Sequence, residues 1–170
     1  MSAGLATSTR SIEREIWGLL ERVPDPEIPV LNIVDLGIVR GVHADPAGQV
    51  EVQITPTYSA CPATEVIRAS VRQALDRGGF HEAIVREALS PAWTSDWITD
   101  RGREKLRQFG IAPPEKGVGN VRQLFSTRPV ACPRCNSTTT ERISEFGSTP
   151  CKAHYRCQAC LEPFDHFKCL

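Results

Sequence analysis

Apolar residues at Ile12, Ile16, Leu19, Leu20 and Val23 recur at three- and four-residue spacing, which predicts a helix over residues 11–23 with Ser11 as N-cap and Pro24 as its stop. The prolines in Asp25-Pro26-Glu27-Ile28-Pro29 bias the residues before them away from helix, so this stretch is expected to be an extended, stiff loop. Two β-patterned runs follow, Leu36 to Val42 and Val50 to Thr55, joined by Asp45-Pro46-Ala47-Gly48, which has turn chemistry. In the second run Val50, Val52 and Ile54 alternate with Glu51, Gln53 and Thr55, the pattern of a sheet with one buried and one polar face. Helical spacing returns at Ala63, Val66, Ile67, Ser70, Val71, Ala74 and Leu75, with Pro62 in the first turn and Gly78-Gly79 beyond the last. Ala83 to Leu89 reads as a third strand, and Thr99 to Phe109 as a polar helix opened by Thr99 and closed at Gly110. The order helix, hairpin, helix, strand, helix predicts an α+β fold, a small sheet with helices packed on one side.

Pro113-Pro114 and the residues Gly117, Gly119 and Asn120 mark residues 111–129 as a linker. It divides an expected domain of residues 1–110 from a smaller one of residues 130–170, a division that suits a chain of 170 residues. With 41% hydrophobic and 24% charged residues the chain can bury a core, which argues against extensive disorder. Lys plus Arg balances Asp plus Glu at 20 each, so no whole-chain field favours nucleic acid or an anionic membrane. No long apolar run is present, and Met1 to Arg10 lacks the apolar centre of a signal peptide; a cytoplasmic protein is expected.

The cysteines change the picture most. Cys61 stands alone, and the other six of the seven lie between Cys132 and Cys169. An odd count argues against a fully paired disulfide framework. Cys132-Pro133-Arg134-Cys135 and Cys157-Gln158-Ala159-Cys160 form two knuckles, in each of which a two-residue spacer turns both thiolates toward one ion. The 21 residues between them exceed the usual spacing, so a longer hairpin over Thr138 to Tyr155 is expected, and the pattern reads as a zinc ribbon with zinc in a structural role. Buried thiols and reversible disulfides are the competing readings, but so short a segment with little apolar content folds poorly without a metal. Cys151 and Cys169, with His154 and His166 near them, are further ligand candidates for a second metal or an iron-sulfur cluster, or are structural.

Cys61 follows the second strand and precedes Pro62, which places it at the N-cap of the second helix, where free amides and the helix dipole favour a thiolate. A metal-binding or reactive thiol is one reading and a small core residue the other. Asp25, Glu27 and Asp35 are the carboxylates near the hairpin; with no histidine close in sequence, solvated or capping roles compete strongly with acid-base chemistry. Trp93 and Trp97 read as core cover or as a partner surface. No phosphate-cradling loop, nucleophile elbow or dinucleotide fingerprint is present, which argues against independent turnover.

The segments Asp25-Pro26-Glu27-Ile28-Pro29-Val30, Ile33-Val34-Asp35-Leu36-Gly37-Ile38-Val39 and Thr55-Pro56-Thr57-Tyr58-Ser59-Ala60-Cys61-Pro62 resemble the SufT-type iron-sulfur assembly domain. That resemblance implies a small α+β domain that helps install iron-sulfur clusters in client proteins, with Cys61 as the relay thiol and Asp25 and Glu27 as its acidic segment. Pro91-Ala92-Trp93-Thr94-Ser95-Asp96-Trp97, Ser144-Glu145-Phe146-Gly147-Ser148-Thr149, Cys151-Lys152-Ala153-His154-Tyr155-Arg156-Cys157 and Glu162-Pro163-Phe164-Asp165-His166-Phe167-Lys168-Cys169 extend the likeness over nearly the whole chain. Together they resemble the PaaD (or PaaJ) family, the D component of bacterial phenylacetyl-CoA epoxidase systems. The resemblance implies an accessory maturation factor in aerobic phenylacetate catabolism, aiding iron or iron-sulfur insertion into the di-iron oxygenase or the iron-sulfur flavin reductase. A structural zinc subunit scaffolding the multicomponent monooxygenase is the alternative. The chain itself has neither paired Glu-x-x-His motifs nor a flavin fingerprint. A nucleic-acid role for the ribbon is disfavoured by its five basic and four acidic residues over 130–170, to which four thiolates on a divalent ion add negative charge.

Overall fold

The structure, a computed structural model, describes residues 2–58, 63–117 and 129–168, with side chains from residue 9 onward. They fall into two compact units, Met1–Trp93 and Thr94–Leu170. Among the described residues no helix is long and apolar enough to cross a membrane.

The first unit runs α1 (Ser2–Leu20), β1 (Val39–Ala44), β2 (Val50–Ile54), α2 (Ala63–Arg77) and β3 (Ile84–Glu87). Its sheet has the order β1-β2-β3, with β1 antiparallel and β3 parallel to the central β2, so Val52 lies opposite Val42 on one side and Val85 on the other. The β1–β2 turn forms as its residues dictate: Asp45 Oδ1 accepts from the Ala47 and Gln49 amides, and Gly48 takes the left-handed φ of 87° that a side chain resists. α2 buries Ala63, Ile67, Val71 and Leu75, one residue per turn, while α1 packs on β1 and α2. Ile16, Leu20, Val52, Val71 and Leu75 are 0% exposed and form the centre of this core.

Three local expectations are corrected. α1 begins at Ser2 instead of Ser11, because no proline interrupts residues 2–10 and helix propagation adds a hydrogen bond per residue once the amphipathic part is nucleated. The first strand starts at Val39 instead of Leu36; Gly37, at a φ of 68°, turns the chain just before it, and Leu36 is buried ahead of the strand. The proline-rich loop is not extended. Pro24 bridges to Asn32, the Asp25 amide donates to the Leu31 carbonyl, and Asp25 Oδ1 accepts from the amides of Glu27 and Ile28 at 2.9 and 2.7 Å. The buried carboxylate thus supplies the partners that let a segment unable to enter a helix double back on itself.

The second unit opens with a short 3-10 turn, Ser95–Trp97, followed by α3 (Asp100–Phe109), β4 (Ile111–Ala112), β5 (Thr140–Ser144), β6 (Lys152–Cys157) and β7 (Pro163–Phe167). Thr99 caps α3 by accepting from the Gly102 amide at 3.0 Å, and Gly110, at a φ of 91°, closes it in the left-handed conformation. The sheet has the order β4-β7-β6-β5, antiparallel except for the parallel β4–β7 pair. The expected boundary after residue 110 therefore differs from the observed one at 93/94, and α3 belongs with the ribbon. The span expected as a linker begins with a strand: Ile111 and Ala112 are apolar, buried and paired with Asp165 and His166. Its remaining described residues, to Gly117, are held by the buried Arg103 guanidinium on the Pro114 carbonyl and by Asp96 Oδ1 on the Gly117 amide.

Burial assigns the energetics within α2. Leu75→Ala is expected to lower stability by about 2–5 kcal/mol through cavity formation, whereas Val66→Ala, at a position 52% exposed, is expected to stay within about 0.5 kcal/mol of the parent. Denaturant unfolding of both variants, followed by circular dichroism, checks this contrast.

Candidate metal centre

Each cysteine knuckle closes through a residue whose backbone turns left-handed directly after the second cysteine: Asn136 at a φ of 59° and Leu161 at 64°. In the first, the Asn136 amide donates to the Cys132 carbonyl and the Cys132 amide to the Ser137 carbonyl; in the second, the Cys157 amide donates to the Glu162 carbonyl. These bonds bend both chains so that backbone amides face sulfur, as the Cys160 amide faces Cys157 Sγ at 3.5 Å. The expected hairpin between the knuckles is present as β5 and β6, and it delivers Cys157 at the end of β6.

The sulfur atoms of Cys132, Cys135, Cys157 and Cys160 all lie within 4.8 Å of one another. The pairs between knuckles are 3.8 Å (Cys132–Cys160) and 3.6 Å (Cys135–Cys157) apart. Two sulfurs held about 2.3 Å from one ion at a tetrahedral angle lie about 3.8 Å apart, whereas a disulfide needs about 2.05 Å. The spacing is that of ligands, so the residues present fit a tetrahedral metal. Cys132 and Cys157 are 0% exposed and share a small core with Ala112 and Phe164, while Cys135 and Cys160 reach the surface.

The electrostatics point the same way. The Cys160 amide, helped by the Ala159 amide and by the Cys135 and Cys160 side chains, lowers the Cys157 thiol to about 6 against the opposing cost of desolvation. At Cys160 the Glu162 amide lowers the thiol, but desolvation and the sulfurs of Cys135, Cys157 and Cys132 outweigh it and push the group up to about 12. Four thiolates this close repel one another, and a divalent cation removes that conflict while leaving the amide–sulfur bonds in place.

Other candidates from the sequence separate from this centre. Cys151 is buried in the β5–β6 connection, with its sulfur 3.0 Å from Thr149 Oγ1, and is not among the four converging ligands. His166 is half-buried and its imidazole is pulled down to about 4 by desolvation, against the raising influence of Glu115. His154 Nδ1 lies 3.4 Å from Asp165 Oδ1. Asp165 is not marked out by its neighbours in sequence, yet it gathers His154, Ser148 Oγ at 2.8 Å and the buried Lys152 ammonium at 4.0 Å. Gly147 is the signal that could have found it: a β-carbon there would lie 2.7 Å from Asp165 Oδ1.

In the first unit Asp25 is buried with one oxygen committed to the loop amides, Glu27 is half-buried in the same turn and Asp35 is 0% exposed. Trp93 is core cover, donating from Nε1 to the Leu36 carbonyl at 2.9 Å, and Trp97 is half-buried in the second unit. Cys61 and Cys169 lie outside the described residues.

Fold and site together define a protein with an α+β unit and a four-cysteine metal-binding ribbon. The sequence profile of the iron-sulfur cluster assembly protein family matches residues 13–79, and that of the PaaD zinc beta ribbon domain matches residues 117–168. The chain is 51% identical, over 98% of both lengths, to a protein of Escherichia coli (strain K12) described as the candidate D component of 1,2-phenylacetyl-CoA epoxidase. It belongs to that family, the PaaD family. The chain is also 36% identical to the Fe-S protein maturation auxiliary factor YitW of Bacillus subtilis (strain 168), over 51% of this chain and 84% of that one. Among solved structures, a domain of unknown function, DUF59, from Bacillus anthracis aligns with a TM-score of 0.56 and 28% identity, covering 59% of this chain and 96% of its own.

Replacing both ligands of the second knuckle, Cys157→Ser with Cys160→Ser, is expected to reduce bound metal to background while the first unit keeps its helical dichroism. Metal analysis of the purified variant is the measurement, and a metal content equal to the parent's would refute the four-cysteine site. Acidification of the parent is expected to release the ion, because every ligand must be deprotonated to bind.

Proposed function

We propose that this chain is a maturation factor of the phenylacetyl-CoA epoxidase system, aiding insertion of iron or an iron-sulfur cluster into its di-iron oxygenase or its iron-sulfur flavin reductase. The observation that carries this reading is the joining of an iron-sulfur assembly domain to a PaaD ribbon in one chain, half of whose residues are identical to those of an epoxidase D component from end to end. The B. subtilis relative, named as an iron-sulfur maturation factor, matches 51% of this chain, and the iron-sulfur assembly family profile falls on residues 13–79, which supports assigning the handling of cargo to the first unit.

Cys61 is the thiol we assign to this handling. It lies in sequence between β2 and α2, where the chain leaves the sheet and enters a helix. A thiolate at such an entry is favoured by the helix dipole and exchanges a soft metal with other thiolates without any change of oxidation state. Asp25 acts on this reading through loop shape, since its Oδ1 holds the turn that carries Glu27. The ribbon holds zinc as a resident ion. A closed set of four thiolates suits zinc, and the burial of Cys132 and Cys157 within the ribbon core favours a structural ion over cargo.

In cells expressing the epoxidase subunits, Cys61→Ser is expected to lower cluster content of the reductase or iron content of the oxygenase several-fold. Metal and sulfide analysis of each purified protein reads this directly. Full loading of both by the Cys61→Ser chain removes the relay role and leaves a scaffold, which would instead co-purify with the other subunits at fixed stoichiometry.

A further inference from the structure

The ribbon family profile begins at residue 117, yet the second unit begins at Thr94, and the segment between is built onto the cysteine site. We propose that metal loading of the four cysteines governs the folding of residues 94–117, so that α3 is an ordered element only in the loaded protein. This rests on the metal reading of Cys132, Cys135, Cys157 and Cys160.

Three observations join the segment to the site. Ala112, the second residue of β4, is 2% exposed and packs in the same cluster as Cys132 and Cys157. β4 itself is only two residues long, paired with β7 at Ile111–Asp165 and Ala112–His166, too little to hold a strand once the core beneath it is lost. Arg134, between the cysteines of the first knuckle, lays its guanidinium against Gly110, where a β-carbon would be 3.4 Å from Nη2. Gly110 is the left-handed cap of α3, and a cation there complements the negative end of the helix. The position of Arg134 is set by the knuckle, and the knuckle is set by the shared ion.

The segment is also tied to itself. The Arg103 guanidinium donates to the Ser95 and Pro114 carbonyls, and Asp96 Oδ1 accepts from the Gly117 amide, so the 3-10 turn, α3 and the chain after β4 hold or release together. α3 has 10 residues, below the roughly 12–15 that an isolated helix needs in water. Its fold depends on what it packs against.

The test is hydrogen exchange on the full-length chain, zinc-loaded and chelator-stripped, with zinc content measured on each sample. Stripping is expected to speed exchange of the Arg103 and Gly110 amides at least ten-fold, together with those of β6 and β7, while β2 keeps its protection. α3 protection that survives stripping, or a loss that extends equally to β2, overturns the proposal. Absence of bound zinc from the chain as purified and after zinc addition would instead fail the underlying metal reading. Arg134→Ala provides a second measurement: retained zinc with faster exchange at Gly110 supports the coupling, and retained zinc with unchanged exchange there removes Arg134 from it.

Discussion

Four sulfur atoms within 4.8 Å of one another form the constraint on which the second unit depends. Their spacing is too long for bonds and too short for uncompensated charge, so the arrangement is stable as a ligand set. Two of the four are also core residues: with Cys132 and Cys157 fully buried beside Ala112 and Phe164, the metal centre and the hydrophobic core are one object. The rest of the unit's apolar core is small, with Ile98, Leu106, Ile111, Phe164 and Phe167 buried while Ile143, Phe146 and Leu161 are exposed. The Asp165 group, with Lys152, His154 and Ser148, secures the far end of the same sheet by paired charge and hydrogen bonds.

The first unit is stabilised differently. Its core is a conventional apolar layer between α1, α2 and β1–β3, and its polar features serve backbone geometry. Asp25 shapes the proline-rich turn, and Trp93 uses its indole N–H to fasten the end of the unit to the Leu36 carbonyl. The two halves of the chain are thus built differently, one around four converging cysteines and the other around an apolar core.

Much of this was legible locally. The knuckle spacing named the four cysteines whose sulfurs converge, because a two-residue spacer already turns two thiolates and the intervening amides toward one point. The α2 face, the Asp45–Gly48 turn, the Thr99 cap and the Gly110 stop followed from neighbouring residues alone, since helical period, side-chain capping and left-handed glycine are short-range properties. The resemblance of the Asp25, Asp35 and Cys61 segments to an iron-sulfur assembly domain agrees with the family profile over residues 13–79.

What the local pattern did not carry were contacts between residues distant in sequence. Ile111 and Ala112 sit before two prolines and read as the start of a linker, yet they become a strand because β7, more than fifty residues later, offers its edge. The expected extended loop folds back because the Asp25 carboxylate finds two amides only when the turn closes. Sequence by itself determined the fold class, the four cysteines that converge and most element ends, all set by period, capping and spacing. Tertiary structure alone decided that the boundary falls at Trp93, that α3 belongs with the ribbon, and that two ligands double as core, because burial and strand pairing are settled by what the rest of the chain brings alongside.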